Sequence, residues 1–192
     1  MSDFWKQIWD SKGCSDSMDL LFLCGWEHLN MNVDSKLIVN RVINELNIKP
    51  TDSVLEIGCG AGFLSREFQE YDYTGIDYSE SLIEKHKIIF PEHNVLAADA
   101  NSLPFEDKSF DCTFCSGVFQ YLPDIEYALQ VINEMTRVSK KSIMLVDLKS
   151  IATNDKHFIF PIDTFRNLGF DFSECMYCDD KFRYNAYKTI KK

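Results

Sequence analysis

A short apolar run that breaks into alternating glycines constrains this chain more than any other stretch. Ser53-Val54-Leu55-Glu56-Ile57 leads directly into Gly58-Cys59-Gly60-Ala61-Gly62. The apolar part reads as a buried strand. The glycines permit a tight turn and let a ligand approach the backbone closely. A plain strand-to-helix turn needs one glycine, and three on alternate positions exceed that need. The spacing is G-x-G-x-G, which departs from the G-x-G-x-x-G dinucleotide fingerprint. Alone, the loop indicates a nucleotide-like ligand and no more.

Around this loop, strands and helices alternate. Ile38, Val42 and Leu46, with Val39 and Ile43, form one apolar helix face behind an Asp34 N-cap. A helix is expected around Phe63–Gln69, then a strand at Tyr73–Ile76 ending on Asp77. Ser79 caps a helix that stops at Pro91, and Asn94–Ala98 forms a third strand. Phe110–Cys115 is a fourth strand, Asp124 opens a helix, and Ser142–Val146 is a fifth strand. A short helix at Ile162–Leu168 stops at Gly169. Two last strands fall near Phe172–Tyr177 and Arg183–Thr189, paired antiparallel at one edge. This order predicts an α/β fold, a mostly parallel sheet with helices on both faces.

In such sheets ligands bind beyond the C-terminal strand ends. The second strand ends on Asp77, whose carboxylate can accept both ribose hydroxyls; the alternative is that Asp77 or Ser79 only caps the next helix. The third ends in Ala98-Asp99-Ala100. There Asp99 can accept from an exocyclic amine and a following backbone N–H can donate to a ring nitrogen, which would read adenine; the alternative is a turn-forming Asp. The fourth ends in Cys115-Ser116-Gly117, followed by Phe119-Gln120-Tyr121 beside the same crevice.

Taken in order, these segments resemble the class I S-adenosylmethionine (SAM)-dependent methyltransferases. Val54–Gly62 is similar to their first motif and Gly75-Ile76-Asp77-Tyr78-Ser79 to the second. Ala98-Asp99-Ala100 with Leu103-Pro104-Phe105, and then Ser109-Phe110-Asp111, are similar to the third and fourth. The resemblance spans about residues 35–148 and implies a Rossmann-like seven-stranded sheet with SAM as cofactor. Residue by residue, it implies that Glu56 and the backbone of Gly58, Cys59 and Gly60 face the methionine part, and that Asp77 holds the ribose. Tyr78 then packs on adenine, Asp99 and the Ala100 amide read its edge, and Ser116 lines the methionine side. Two departures stand out. Gln120 occupies a place where many relatives carry His, and the stretch from Lys149 to Phe160 is too short for a substrate cap. Cover would then come from residues 1–32, where Trp5, Trp9 and Trp26 either form a lid over the cofactor or pack a helix on the domain surface. The expected organisation is one domain over 1–192, with 1–32 a helical lid and 33–192 the core.

Composition narrows the partners. The 192 residues carry a formal net charge of -10, which disfavours nucleic-acid backbone and anionic membrane surfaces. No stretch approaches the roughly 18 apolar residues of a membrane span, and Met1–Gln7 lacks the apolar core of a signal peptide, so a cytoplasmic location is expected. Seven cysteines, an odd number, do not suggest a disulfide framework. The pairs Cys112/Cys115 and Cys175/Cys178 sit in strand-like segments, where i and i+3 face opposite ways, so no metal site is expected.

The expected activity is methyl transfer to an O or N atom of a small polar metabolite. A neutral hydroxyl acceptor would want a base, and the candidates are His28, His157 and Tyr121, while Gln120 and Tyr121 can orient an acceptor by hydrogen bonds. Rival readings are a non-catalytic SAM-binding partner subunit, another SAM-fold transferase, and an NAD(P)-dependent oxidoreductase. The last draws on the Tyr184-x-x-x-Lys188 spacing, but that segment alternates like a strand.

Overall fold

The computed structural model describes residues 3–26, 33–151, 155–175 and 183–190. Its centre is a seven-stranded sheet in the order β3-β2-β1-β4-β5-β7-β6. The strands are β1 (Ser53–Ile57), β2 (Asp72–Asp77), β3 (Asn94–Ala97), β4 (Phe110–Ser116), β5 (Ser139–Lys149), β6 (Asp171–Glu174) and β7 (Arg183–Thr189). Strands β1 to β5 pair in parallel, whereas β7 runs antiparallel to both β5 and β6. The helices are α1 (Asp3–Gly13), α2 (Leu20–Leu23), α3 (Ser35–Leu46), α4 (Glu80–Ile89), α5 (Ile125–Val138) and α6 (Ile162–Asn167). None is long and apolar enough to cross a membrane.

The central strands are buried along most of their length because both faces are covered. Val54, Cys112, Phe114 and Met144 pack with α3 residues Ile38, Val39 and Val42. Their sequence neighbours Leu55, Cys115, Ile143 and Leu145 pack on the other face with α5 residues Val131, Ile132 and Met135. Cys112 and Cys115 are thus on opposite faces, as strand alternation requires; Cys178 lies outside the described residues. The predicted caps are in place. Asp34, Ser79 and Asp124 accept hydrogen bonds from the first-turn N–H groups of α3, α4 and α5, each contributing about 1 kcal/mol.

Two local expectations change. The helix expected around Phe63–Gln69 is a single 3-10 turn at Ser65–Glu67. Residues 58–71 are all the chain has between β1 and β2, and the glycine turn consumes the first of them. The remainder cannot run the length of the sheet as a helix, and it buries Phe63, Leu64 and Phe68 instead. Strand β5 extends beyond the expected Ser142–Val146 at both ends, and its register with β7 shifts between Leu145 and Leu148. Asp147 sits in that bulge at φ 64, its N–H donating to Asn185 Oδ1 at 3.1 Å.

Candidate active site

The C-terminal ends of β1, β2, β3 and β4 open on one cavity of about 940 Å³, its mouth included. The glycine turn forms its floor. The N–H groups of Gly58 and Cys59 both donate to the Ile76 carbonyl, at 2.8 and 2.9 Å, which fastens the turn to β2. Gly58 has φ 79, and a Cβ there would lie 2.2 Å from Val118 Cγ2. At Gly60, φ is 50 and a Cβ would meet nothing within 4 Å. Since Gly60 lines the cavity, a side chain there would occupy ligand space, and a ligand can lie on bare backbone instead.

Three carboxylates face this floor. Asp77 Oδ2 accepts from Gly60 N–H and Oδ1 from Ser79 N–H, both at 2.9 Å. Burial raises its pKa and these backbone donors pull it back. One carboxylate therefore holds the glycine turn and caps toward α4 while lining the cavity. Glu56 is only 2% exposed. Tyr73 Oη donates to its Oε2 at 2.6 Å. Burial pushes Glu56 up to about 8, against the Tyr73 hydrogen bond and with a further push from Asp77. Asp99 is exposed at the end of β3, and the Tyr127 hydroxyl of α5 donates to it. Tyr78, Ala100 and Ser116 line the cavity with them, as do Gly58 and Cys59. Among the described residues the lining contains no Lys, Arg or His. No group of three or more His, Cys, Asp and Glu residues among the described residues is placed to hold a metal ion.

The opposite wall is aromatic. Trp9 and Tyr121 line it, their rings edge-on at 5.3 Å. Trp26 lines it as well, with Phe63 at 5.7 Å, so Trp26 faces ligand space and does not merely pack a helix. Leu23 and Cys24 of the α2 segment complete this side. Trp5, expected among the cofactor-binding residues, does not line the cavity. It is buried behind Tyr121 at 4.6 Å, stacks on His157 at 5.3 Å, and donates from Nε1 to the Lys156 carbonyl at 3.2 Å.

The base candidates separate. His28 lies outside the described residues. Gln120 is buried, lines no part of the cavity, and takes Phe158 N–H on its backbone carbonyl at 3.0 Å. His157 is also off the wall. Lys149 Nζ lies 3.3 Å from its Nδ1, so Nδ1 accepts and the ring proton resides on Nε2. Burial, with Lys149 and Arg183 nearby, lowers its pKa to about 4. A nitrogen so engaged is a poor proton acceptor. Tyr121 does reach the cavity, and burial raises its pKa, keeping it a neutral phenol.

Several residues escaped the sequence reading: Tyr127, Leu23 and Phe63 on the wall, and Tyr73 behind Glu56. Tyr73 had a signal. It stands two residues before Gly75 on the same strand face, and a Cβ at Gly75 would lie 2.7 Å from Tyr73 Oη. The missing side chain is what lets the phenol cross to Glu56.

Residues 55–146 match a family model described as a methyltransferase domain. A probable methyltransferase of Aspergillus luteorubrus, ltbC, is 31% identical over 58% of this chain and 43% of its own length. A demethylmenaquinone methyltransferase of Thermotoga maritima is 29% identical over 71% of this chain and 60% of its own length. The chain thus spans about half the length of these relatives. The crystal structure of magnesium protoporphyrin IX methyltransferase from Synechocystis PCC 6803 with bound SAM superposes with a TM-score of 0.66 at 15% identity. It covers 99% of this chain and 92% of that one. The strand order, the glycine turn and these matches give residues 55–146 the class I, Rossmann-like SAM-dependent methyltransferase fold.

Proposed function

We propose that this chain, built on the SAM-dependent methyltransferase fold, moves the methyl group of SAM to an O or N atom of a small polar acceptor. One observation carries the reading: Glu56, Asp77 and Asp99, from three successive strand ends, line the same cavity as the bare backbone of Gly60. The residues fit the cofactor's chemistry. A carboxylate at Asp77 accepts ribose hydroxyls, Asp99 and the Ala100 amide meet an adenine edge, and Tyr78 offers its ring. Glu56 and the Gly58–Gly60 backbone take the amino-acid end, next to Ser116. When bound, SAM supplies an electrophilic methyl group on a sulfonium. The acidic lining, which holds no Lys, Arg or His among the described residues, favours a ligand that carries positive charge.

The protein's part is then to position the acceptor and exclude water, which can supply on the order of 7–11 kcal/mol at best. Tyr121 donates a hydrogen bond to orient the acceptor. Among the described candidates neither His157 nor Tyr121 is set up to remove a proton, which favours an acceptor that needs no strong base, such as an amine or a carboxylate. The net charge of -10 disfavours polyanionic acceptors. The Thermotoga demethylmenaquinone methyltransferase and the Synechocystis magnesium protoporphyrin IX methyltransferase are likewise named for small-molecule acceptors. Residues of α1 and α2 serve as the cover.

Calorimetric titration with S-adenosylhomocysteine (SAH) tests the site, followed by a methyl-transfer screen over small amines, acids and phenols. Asp77→Ala removes both a ligand contact and the Gly60 clamp. Its expected cost is about 1.5–3 kcal/mol, or 10- to 100-fold in Kd. No SAH binding by the intact protein, with Asp77→Ala indistinguishable from it, would sink the reading.

A further inference from the structure

His86 lies in the last turn of α4, fully buried, and no step above uses it. Its Nδ1 is 2.9 Å from the Gly60 carbonyl oxygen. Its Nε2 is 3.1 Å from both Ser65 Oγ and His93 Nδ1. Burial lowers its pKa to about 4, so near neutral pH the ring carries a single N–H. A carbonyl oxygen only accepts; the proton is therefore on Nδ1, and Nε2 must itself accept. One arrangement accounts for the Gly60 contact. His93 Nδ1–H donates to His86 Nε2, His86 Nδ1–H donates to Gly60 O, and Ser65 Oγ–H donates to the Gly62 carbonyl at 3.1 Å. The groups facing this chain from neighbouring elements are Glu92, 3.8 Å from His93 Nε2, and the rings of Phe90 and Tyr73 at 4.9 and 5.5 Å from the His93 ring.

The consequence falls on Gly60. Its Cα is where backbone is open to the cavity, and two peptide planes flank it. The Cys59–Gly60 peptide is held through its N–H by Asp77. The Gly60–Ala61 peptide is held through its carbonyl by His86. A left-handed glycine with no side chain has two soft torsions, and a side chain from a different element fixes each neighbouring peptide. Asp77 also faces the ligand directly, whereas His86 does not line the cavity.

We propose that His86 is a positioning residue of the cofactor loop: it sets the Gly60–Ala61 peptide for the amino-acid end of SAM, and His93 fixes the tautomer that lets it do so. This rests on the reading of the cavity as a SAM site.

Asn and Gln separate the two ring nitrogens. The Asn amide N–H₂ falls near the Nδ1 position and can still donate to Gly60 O, while that of Gln falls near Nε2 and cannot. His86→Gln and His86→Leu are expected to weaken SAH binding and raise KM for SAM about tenfold, with a smaller change in kcat. His86→Asn recovers most of that loss. The comparison of Asn with Gln stands even if the Leu variant does not fold. Equal SAH affinity for the Asn and Gln variants, or Leu-variant affinity equal to that of the unaltered protein, would overturn the assignment. Failure of the unaltered protein to bind SAH would instead strike the reading of the site.

Discussion

Glu56 is a carboxyl group sealed beneath a cavity proposed to receive an ammonium. Burial pushes it up to about 8, so without ligand it is mostly protonated at pH 7. A cation beside it favours the ionised form. Ligand binding at pH 7 should therefore expel close to one proton. Affinity should rise as pH increases from about 6.5 and level off above 8, by at most tenfold per pH unit. Titrating SAH in phosphate and in Tris at pH 7 checks this, because the released proton adds the buffer's ionisation heat. Glu56→Gln should give equal heats in both buffers. Equal heats from the unaltered protein would rule the proton release out. Stability carries the opposite sign. The folded, empty protein holds this proton between about 4.5 and 8 where the unfolded chain has lost it, so Glu56 disfavours folding progressively as pH rises through that window. His86 acts oppositely and elsewhere. Its folded pKa of about 4 lies below the ordinary 6.5, so its cost appears as pH falls from 6.5 toward 4. Between pH 6.5 and 8, Glu56 can be read without it.

At the scale of elements, the glycine turn after β1 and the loop after β4 interlock. Gly58 packs its bare Cα against Val118, where a Cβ would lie 2.2 Å from Cγ2, at a φ of 79. Gly58→Ala combines a left-handed alanine, costing about 1–2 kcal/mol, with a clash costing about 1–3. Val118→Ala in the same chain should relieve the clash and leave the backbone cost. A double-mutant cycle by denaturant unfolding should show a favourable coupling of roughly 1–3 kcal/mol; additive effects would mean that the loops do not touch as described. What the sequence could tell about these elements follows from how local each signal is. Asp34, Ser79 and Asp124 act on N–H groups within three residues, so the caps were legible. The strand-end acids Asp77 and Asp99 were legible because a parallel sheet brings consecutive strand ends together, whereas Glu56 was marked by the family resemblance. The Ser65–Glu67 turn was not, since Phe63 and Phe68 look the same in a pattern whether a helix or a tertiary contact buries them. The contacts of Tyr127 with Asp99 and of His86 with Gly60 join separate elements, and no periodicity encodes them.

Across the whole molecule, α1 ties the two flanks of the cavity together. On one flank it docks on α4: Ser79 Oγ donates to Asp10 Oδ1 at 2.7 Å, Ser81 Oγ to the Asp10 carbonyl at 3.0 Å, and Lys85 Nζ to the Ser15 carbonyl at 2.7 Å. Gly13 permits that approach, since a Cβ there would sit 2.4 Å from Ser81 Oγ and 2.6 Å from the Leu82 nitrogen. The Leu82 backbone cannot yield as a flexible side chain would. On the other flank Trp5 and Trp9 meet Tyr121, and only Trp9 reaches the cavity. A helix fastened by a few polar contacts at one end and two indoles at the other can be lifted as a unit, which is what a cover over a cofactor must do. Gly13→Ala should therefore undock α1, taking Trp9 away from the cavity lining and pressing on the backbone of Leu82, which also lines it. In the unaltered protein, SAH should slow amide hydrogen exchange across residues 3–13. In Gly13→Ala that protection should shrink and SAH should dissociate about tenfold faster, while exchange in β1 and β4 stays unchanged. Exchange in α1 that is indifferent to SAH would make this helix a fixed part of the wall. In that case Trp9 would still contact the ligand, but the acceptor would have to enter by another side.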